Sequence, residues 1–342
     1  MIAFAAQLSR GPLDELSFHF APQFVLFAAV KLGVFSAMEE GAKDFEAIAS
    51  ATGCSPRGMR MLLDSTAALG LLEKKRDLYG LNRFSRRYLL PSSEDYVGQV
   101  FMYSDLSVKL WSTLPEAVRT GRPTLSELTE GERKRLQVEV VDALFQVQRA
   151  NAWRLAEALE ETGLFQKELD EPVKILDLAA GSAVWSIPLA VKFAAGQVTA
   201  VDFASVLDVA RRYTRKYGVQ SRYRFVDADI REMDFGSEEY DLVILGHICH
   251  SEGSEQTQRL MKKALRALQA SGKLLIIDYI PDEERKSELL PLLLAINALL
   301  GTEEGDTFTF SEYEQWLLNA GFKAVRRVRV EGHSPILAAL RG

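Results

Sequence analysis

Val173-Lys174-Ile175-Leu176-Asp177-Leu178-Ala179-Ala180-Gly181-Ser182-Ala183 is an apolar run that ends in a loop of small residues. Such a run predicts a strand buried on both faces, and Trp185 to Phe193 behind it reads as a helix. The same alternation continues outward. Strand Val198 to Val201 ends at Asp202 and is followed by helix Val206 to Tyr217. Strand Tyr223 to Val226 leads to Asp229. Strand Asp241 to Gly246, helix Glu255 to Leu268 and strand Lys273 to Asp278 complete the series. The pattern predicts an α/β fold, a Rossmann-like parallel sheet with helices on both faces. Right-handed crossovers place the strand C-termini along one edge. After helix Glu312 to Ala320, strands Lys323 to Val330 and Pro335 to Leu340 are too close in sequence for a parallel crossover. Five parallel strands plus an antiparallel C-terminal hairpin are expected.

Upstream, Gln23 to Met38 reads as one apolar helix, as buried between subunits. Asp44 caps a short helix ended by Gly53. Ser55 and Pro56 open another, with Met59, Leu62, Leu63 and Thr66 on one stripe. Leu71 to Lys74 and Leu78 to Leu81 predict a hairpin wing. Two short helices and a wing predict a mainly helical winged-helix domain. Residues 1–100 hold 11 Lys+Arg and 11 Asp+Glu. That neutrality favours dimerisation over DNA binding, although the wing is locally basic. The expected domains are 1–95 (winged helix), 96–160 (helical linker and substrate pocket) and 161–342 (catalytic). In the linker, Phe101, Met102, Tyr103, Trp111, Phe145 and Trp153 are candidates to line a pocket for a flat substrate or to pack in the core.

The 342 residues carry a net charge of −6, which argues against nucleic acid as a partner. Two cysteines, Cys54 and Cys249, form no disulfide framework. The longest apolar run, Leu289 to Leu300, is interrupted by Pro291 and Asn297 and falls short of the ~20 residues of a membrane span. The N-terminus lacks a basic leader, so a cytoplasmic protein is expected. His247, Cys249 and His250 have no second ligand cluster nearby, and His19 and His333 lie in unrelated segments. No metal site is expected.

Asp177, Asp202 and Asp229 fall at or just beyond strand C-termini, where ligands bind in such sheets. A carboxylate only accepts hydrogen bonds and suits the ribose diol of an adenosine-containing cofactor. The small-residue loop at Gly181 lets backbone approach the ligand. It lacks GxGxxG, which favours S-adenosylmethionine over NAD. Asp229 adds an acceptor suited to the adenine amino group.

The chain resembles the class I winged-helix small-molecule O-methyltransferases, a group that includes caffeate and hydroxyindole O-methyltransferases and bacterial natural-product enzymes. The resemblance rests on Lys31-Leu-Gly-Val-Phe, Ile48-Ala-Ser-Ala-Thr-Gly, Leu62 to Leu72, Ile175-Leu-Asp-Leu-Ala-Ala-Gly-Ser, Val201-Asp-Phe-Ala-Ser-Val-Leu, Asp227-Ala-Asp-Ile-Arg, Gly246-His-Ile-Cys-His and Tyr313 to Phe322. It implies a homodimer formed through the N-terminal domain. It also implies S-adenosylmethionine held by Asp177, Gly181, Asp202, Asp229 and Ile230, and a small-molecule hydroxyl as methyl acceptor. His250 is implied as general base; chemically, a neutral imidazole suits that task. Three departures stand out. Ala179 and Ala183 occupy small positions of the family's glycine-rich loop. Ser251-Glu252 replaces the usual Asp-Trp after the histidine. The carboxylates that usually flank the base have no clear match; Asp278, Glu303, Glu304 and Asp306 are the candidates. Two other readings stay open: an enzyme of the same fold that binds the cofactor without methyl transfer, and a ligand-sensing winged-helix regulator.

Overall fold

The computed structural model describes residues 20–164, 171–328, 330 and 335–342. The expectations for the extreme N-terminus, His19 and His333 lie outside these residues. The chain divides into two compact units, 1–107 and 108–342.

In the first unit, α1 (Phe20–Lys31) is followed by α2 (Val34–Ala37). Gly33, at φ 71°, separates them, so the single helix read from 23 to 38 is broken where only glycine adopts that backbone cheaply. β1 (Lys43–Asp44) leads into α3 (Phe45–Thr52), capped by Asp44 accepting from the Ala47 N–H at 2.7 Å. α4 (Pro56–Ala68) is capped by Ser55. β2 (Glu73–Lys75) and β3 (Leu78–Gly80) form the wing, and β1 pairs with β3 to make a three-stranded sheet. α5 (Arg83–Tyr88) follows. Phe35, Met38, Ile48, Met59, Leu63 and Tyr79 share the core. Asp64 pairs with Arg60 at 3.0 Å and with wing residue Lys74 at 2.5 Å, and accepts from the Tyr79 hydroxyl at 2.6 Å. Two cations of the DNA-facing reading are therefore neutralised internally.

α6 (Ser104–Trp111) spans the boundary, and α7 (Leu114–Thr120) and α8 (Glu130–Glu161) belong to the second unit. A capping box between Thr129 and Glu132 starts α8. The sheet is built from β4 (Lys174–Leu178), β5 (Gln197–Asp202), β6 (Tyr223–Asp227), β7 (Tyr240–Gly246), β8 (Leu268–Ile277), β9 (Ala324–Val328) and β10 (Ile336–Leu340), in the order β6-β5-β4-β7-β8-β10-β9. The first five are parallel, and β10 runs antiparallel between β8 and β9. The layout read from the sequence holds.

Alternation along the strands serves both faces. Ile175, Val198, Leu242, Ile244 and Leu275 pack on one side with residues of α8, α9 (Ser186–Lys192) and α10 (Ala204–Lys216). Leu176, Leu178, Val243, Leu245 and Ile276 pack on the other with α11 (Cys249–Ala267), and α13 (Phe310–Ala320) shares that layer. α12 (Leu289–Gly301) lies between them in sequence. Phe145 and Trp153 are packing residues of the first face. Phe145 stacks on Tyr213 at 3.5 Å between ring centroids, and Trp153 lies 5.0 Å from Tyr217. Their role as pocket lining is set aside for the core alternative.

Candidate active site

The ends of β4, β5, β6, β7 and β8 form one rim, as parallel pairing requires. At β4, the loop after Leu178 passes through left-handed backbone three times, at Ala179 (φ 51°), Gly181 (φ 58°) and Ala183 (φ 59°). The two alanines keep the bends of a glycine-rich loop at the cost of strain. The Gly181 N–H donates to Asp202 Oδ2 at 2.8 Å, and the Phe203 N–H donates to Oδ1 at 2.8 Å. Two strand ends are joined through one carboxylate, which keeps lone pairs to accept from a diol. Burial raises the Asp202 pKa, while the two backbone donors act to lower it.

Asp177 is placed differently from Asp202. It is 2% exposed and accepts from Ser186 Oγ at 2.5 Å, and the Tyr223 hydroxyl donates to Ser186 at 3.0 Å. Burial pushes its carboxyl up to about 7. Asp177 therefore stands beneath the rim, tying β4 to α9 and β6. Asp229 accepts from the Arg231 N–H at 2.8 Å, which shapes the turn after β6, and Ile230 beside it is buried. An open groove of about 780 Å³, lined in part by Lys134, Val138, Phe203, Arg212 and Asp227, flanks this end of the rim. Neither His250 nor Asp278 lines it.

At β7, Gly246 gives way to His247, whose φ is 56°. A side chain on Gly246 would put its Cβ 2.4 Å from Trp185 Cδ1, so the indole needs glycine there. His250 lies in the first turn of α11, which breaks at Gly253 (φ 75°, ψ 172°). Its Nδ1 lies 2.7 Å from Asp278 Oδ1, and its backbone N–H donates to Asp278 Oδ2 at 2.9 Å. Tyr279 N–H and the Tyr313 hydroxyl also donate to Asp278, at 2.8 and 3.1 Å. Asp278 is fully buried just past the end of β8. Burial would depress the His250 pKa, but the Asp278 charge and hydrogen bond outweigh it and raise it. Burial would likewise raise Asp278, but the field of His250, that hydrogen bond and the Tyr279 N–H hold it below its ordinary value.

The His247 side chain is 7% exposed, and its desolvation drives the pKa down to about 4. Its ring packs 4.6 Å from that of Tyr279 and 5.8 Å from Trp185. His247, His250 and Asp278 bring ligand atoms within 4.8 Å of one another, a grouping that sequence reading did not weigh because Asp278 follows a different strand. The 2.7 Å between His250 and Asp278 is a hydrogen-bond length. It is shorter than the ~3.3 Å separating tetrahedral donors around zinc at 2.0–2.1 Å. As it stands, the trio is a hydrogen-bonded pair with a packed neighbour.

Of the four carboxylates considered for orienting the base, only Asp278 touches the His250 ring. Glu303 and Glu304 are exposed, and Asp306 donates its backbone N–H to the His250 carbonyl at 2.9 Å. Sequence reading missed Gln148, buried on α8, which donates to the Tyr279 hydroxyl at 3.4 Å, and the Arg231–Glu252 pair at 2.8 Å. A polar residue on an apolar helix face was the available signal for Gln148. Nothing local marked the pair.

Residues 111–323 match the O-methyltransferase domain model, and residues 14–91 match the O-methyltransferase dimerisation domain model. The chain is 29% identical over 312 residues to 3-hydroxy-5-methyl-1-naphthoate 3-O-methyltransferase of Streptomyces sahachiroi, covering 89% of this chain and 87% of that one. A Nostoc punctiforme PCC 73102 protein assigned as an O-methyltransferase superposes with a TM-score of 0.86 at 28% identity, over 98% of this chain and 100% of the other. Human N-acetylserotonin methyltransferase, solved in complex with S-adenosylmethionine, shares the fold with a TM-score of 0.84 at 24% identity, over 100% of both chains.

Proposed function

The chain belongs to the O-methyltransferase family, and from that membership we propose that it methylates a hydroxyl of a small aromatic or polyketide-like molecule, with S-adenosylmethionine as donor and His250 as general base. The single observation that carries the base assignment is the buried Asp278 carboxylate 2.7 Å from His250 Nδ1. The donor set at the rim fits the adenosine half of the donor. Asp202 offers acceptors to a diol, the Gly181 loop is compact, and Asp229 offers an acceptor next to the apolar Ile230. Asp177 supports this site from beneath by fixing β4 to α9.

Bound there, S-adenosylmethionine supplies an electrophilic methyl on a sulfonium. The protein's own task is to align the acceptor hydroxyl and remove its proton. Asp278 keeps the proton on His250 Nδ1, which leaves the Nε2 lone pair to receive the hydroxyl proton. The resulting imidazolium is stabilised by the same carboxylate. A phenol has a pKa near 10, so transfer to an imidazole raised above its usual 6.5 is less uphill than to an unassisted one.

The test is transfer of isotope-labelled methyl from S-adenosylmethionine into naphthol, hydroxyindole and polyketide phenols, with His250→Ala alongside. Label in product, lost in the variant while S-adenosylhomocysteine still binds, supports the reading. Turnover of a substrate without label would favour a non-methylating enzyme of the same fold. The dimerisation-domain match, together with Phe20, Met61 and Phe84 exposed on the first unit, supports a homodimer. Sedimentation showing only monomer would remove that part. Among the described residues no helix is long and apolar enough to cross a membrane.

A further inference from the structure

Arg231 and Glu252 join the turn after β6 to the turn that carries His250. Arg231 Nε donates to Glu252 Oε2 at 2.8 Å, and Nη2 donates to Oε1 at 3.0 Å. The Glu252 side chain is 6% exposed and that of Arg231 54%. A carboxylate so buried is costly unless a cation meets it, and the guanidinium fork meets both oxygens. Arg231 also donates its backbone N–H to Asp229 Oδ1 at 2.8 Å. One residue thus shapes the Asp229 turn and grips α11 two positions beyond the base. A second tie lies further along the same helix, where Lys263 Nζ donates to the carbonyls of Ile230 at 2.8 Å and Arg231 at 3.1 Å. Behind Glu252 the chain bends at Gly253, where a Cβ would lie 2.6 Å from the Glu304 carbonyl oxygen. The turn therefore has little freedom to relax if the pair is broken.

We infer that Arg231 and Glu252 are positioning residues whose ion pair couples the Asp229 carboxylate to the His250 turn, so that holding the adenine end of the donor and placing the base are one linked event. The inference rests on the donor site proposed above. Ser251-Glu252 stands where the resembled family usually carries Asp-Trp.

The experiment uses the full-length protein and the variants Arg231→Ala, Arg231→Lys and Glu252→Gln, with thermal denaturation to confirm folding. Amide hydrogen exchange of the free protein should show residues 228–233 and 249–253 loosening together in Arg231→Ala. Calorimetry with S-adenosylhomocysteine should show binding weakened about tenfold, the size expected for a lost coupling contact. Arg231→Lys keeps the charge but not the fork and should fall between. Should Arg231→Ala not fold, the other two variants carry the comparison. Loosening confined to one segment, or folded variants with wild-type affinity, would overturn the coupling. If the wild-type protein itself fails to bind S-adenosylhomocysteine, the donor reading falls instead, and the ligand-free exchange measurement still decides the coupling.

Discussion

Asp278 meets His250 twice, once at the ring Nδ1 (2.7 Å) and once at the backbone N–H (2.9 Å). With Tyr279 and Tyr313 as further donors, the carboxylate is fixed from four directions. His250→Ala should therefore lower kcat by about 10²–10⁴, the range for a general base, with little change in S-adenosylhomocysteine affinity. Asp278→Asn preserves shape but not charge and should lower kcat in the same direction. Equal loss of turnover and cofactor binding in His250→Ala would contradict the role.

The pH profile follows from the same pair. Transfer needs neutral His250, and Asp278 raises the His250 pKa above 6.5 against the effect of burial. The acid limb of kcat/KM should lie above pH 6.5. In Asp278→Asn the limb should move down, because burial then acts unopposed. Stability responds with the opposite sign. A raised folded-state pKa contributes stability that is fully present below about 6.5 and is lost as pH rises through the folded value. Rate–pH curves that coincide for wild type and variant would remove His250 as the titrating base.

Asp202 joins Gly181 to the end of β5 and is proposed to hold the ribose. Asp202→Ala removes the acceptor for both backbone donors and should abolish measurable S-adenosylhomocysteine binding in calorimetry. Asp202→Asn keeps one acceptor oxygen and should retain weakened binding. Unchanged affinity in Asp202→Ala would take the ribose assignment away.

Much of this was readable in the sequence because its signals are local. Apolar strands with small-residue loops gave the parallel sheet, and a last connection too short for a crossover gave the antiparallel terminal hairpin. Asp202 and Asp229 were legible as candidates because strand ends gather at one rim, whereas His250 was singled out from His247 by the family resemblance. The depth of each carboxylate was not readable. Asp177 is the penultimate residue of β4 and Asp202 the last of β5; one meets Ser186 beneath the rim and the other bridges two backbone donors at it. Strand pleat and the path of the following helix decide this, and both depend on tertiary packing. The Arg231–Glu252 pair, 21 residues apart in sequence, was illegible for the same reason.

Ala179 sits at φ 51°, where an alanine is strained by roughly 1–2 kcal/mol relative to glycine. Ala179→Gly should raise stability by about 1 kcal/mol in urea titration, after a partial offset from the lost methyl and the greater freedom of the unfolded chain. Ala183, also at positive φ, is fully buried and packed. Its glycine variant loses more contact and should gain less. A destabilised Ala179→Gly would mean that the surrounding loop is shaped around the methyl.

Asp177 and His247 set opposing slopes on stability in acid. Asp177 has a folded pKa of about 7 against 3.8, so the folded state keeps a proton the unfolded chain loses, and stability falls as pH rises from about 4 to 7. His247 has a folded pKa of about 4 against 6.5, so the unfolded chain binds the extra proton, and stability rises with pH over nearly the same window. At about 1.4 kcal/mol per pKa unit, each effect is on the order of a few kcal/mol. Their contributions to the wild-type profile should largely cancel between pH 4 and 6.5. Asp177→Asn, which can still accept from Ser186, removes one slope. Its Tm should climb with pH relative to wild type and exceed it at pH 8, where the wild-type carboxylate is charged in the core. Tm curves for the two proteins that run parallel from pH 4 to 8 would mean that Asp177 ionises as freely folded as unfolded.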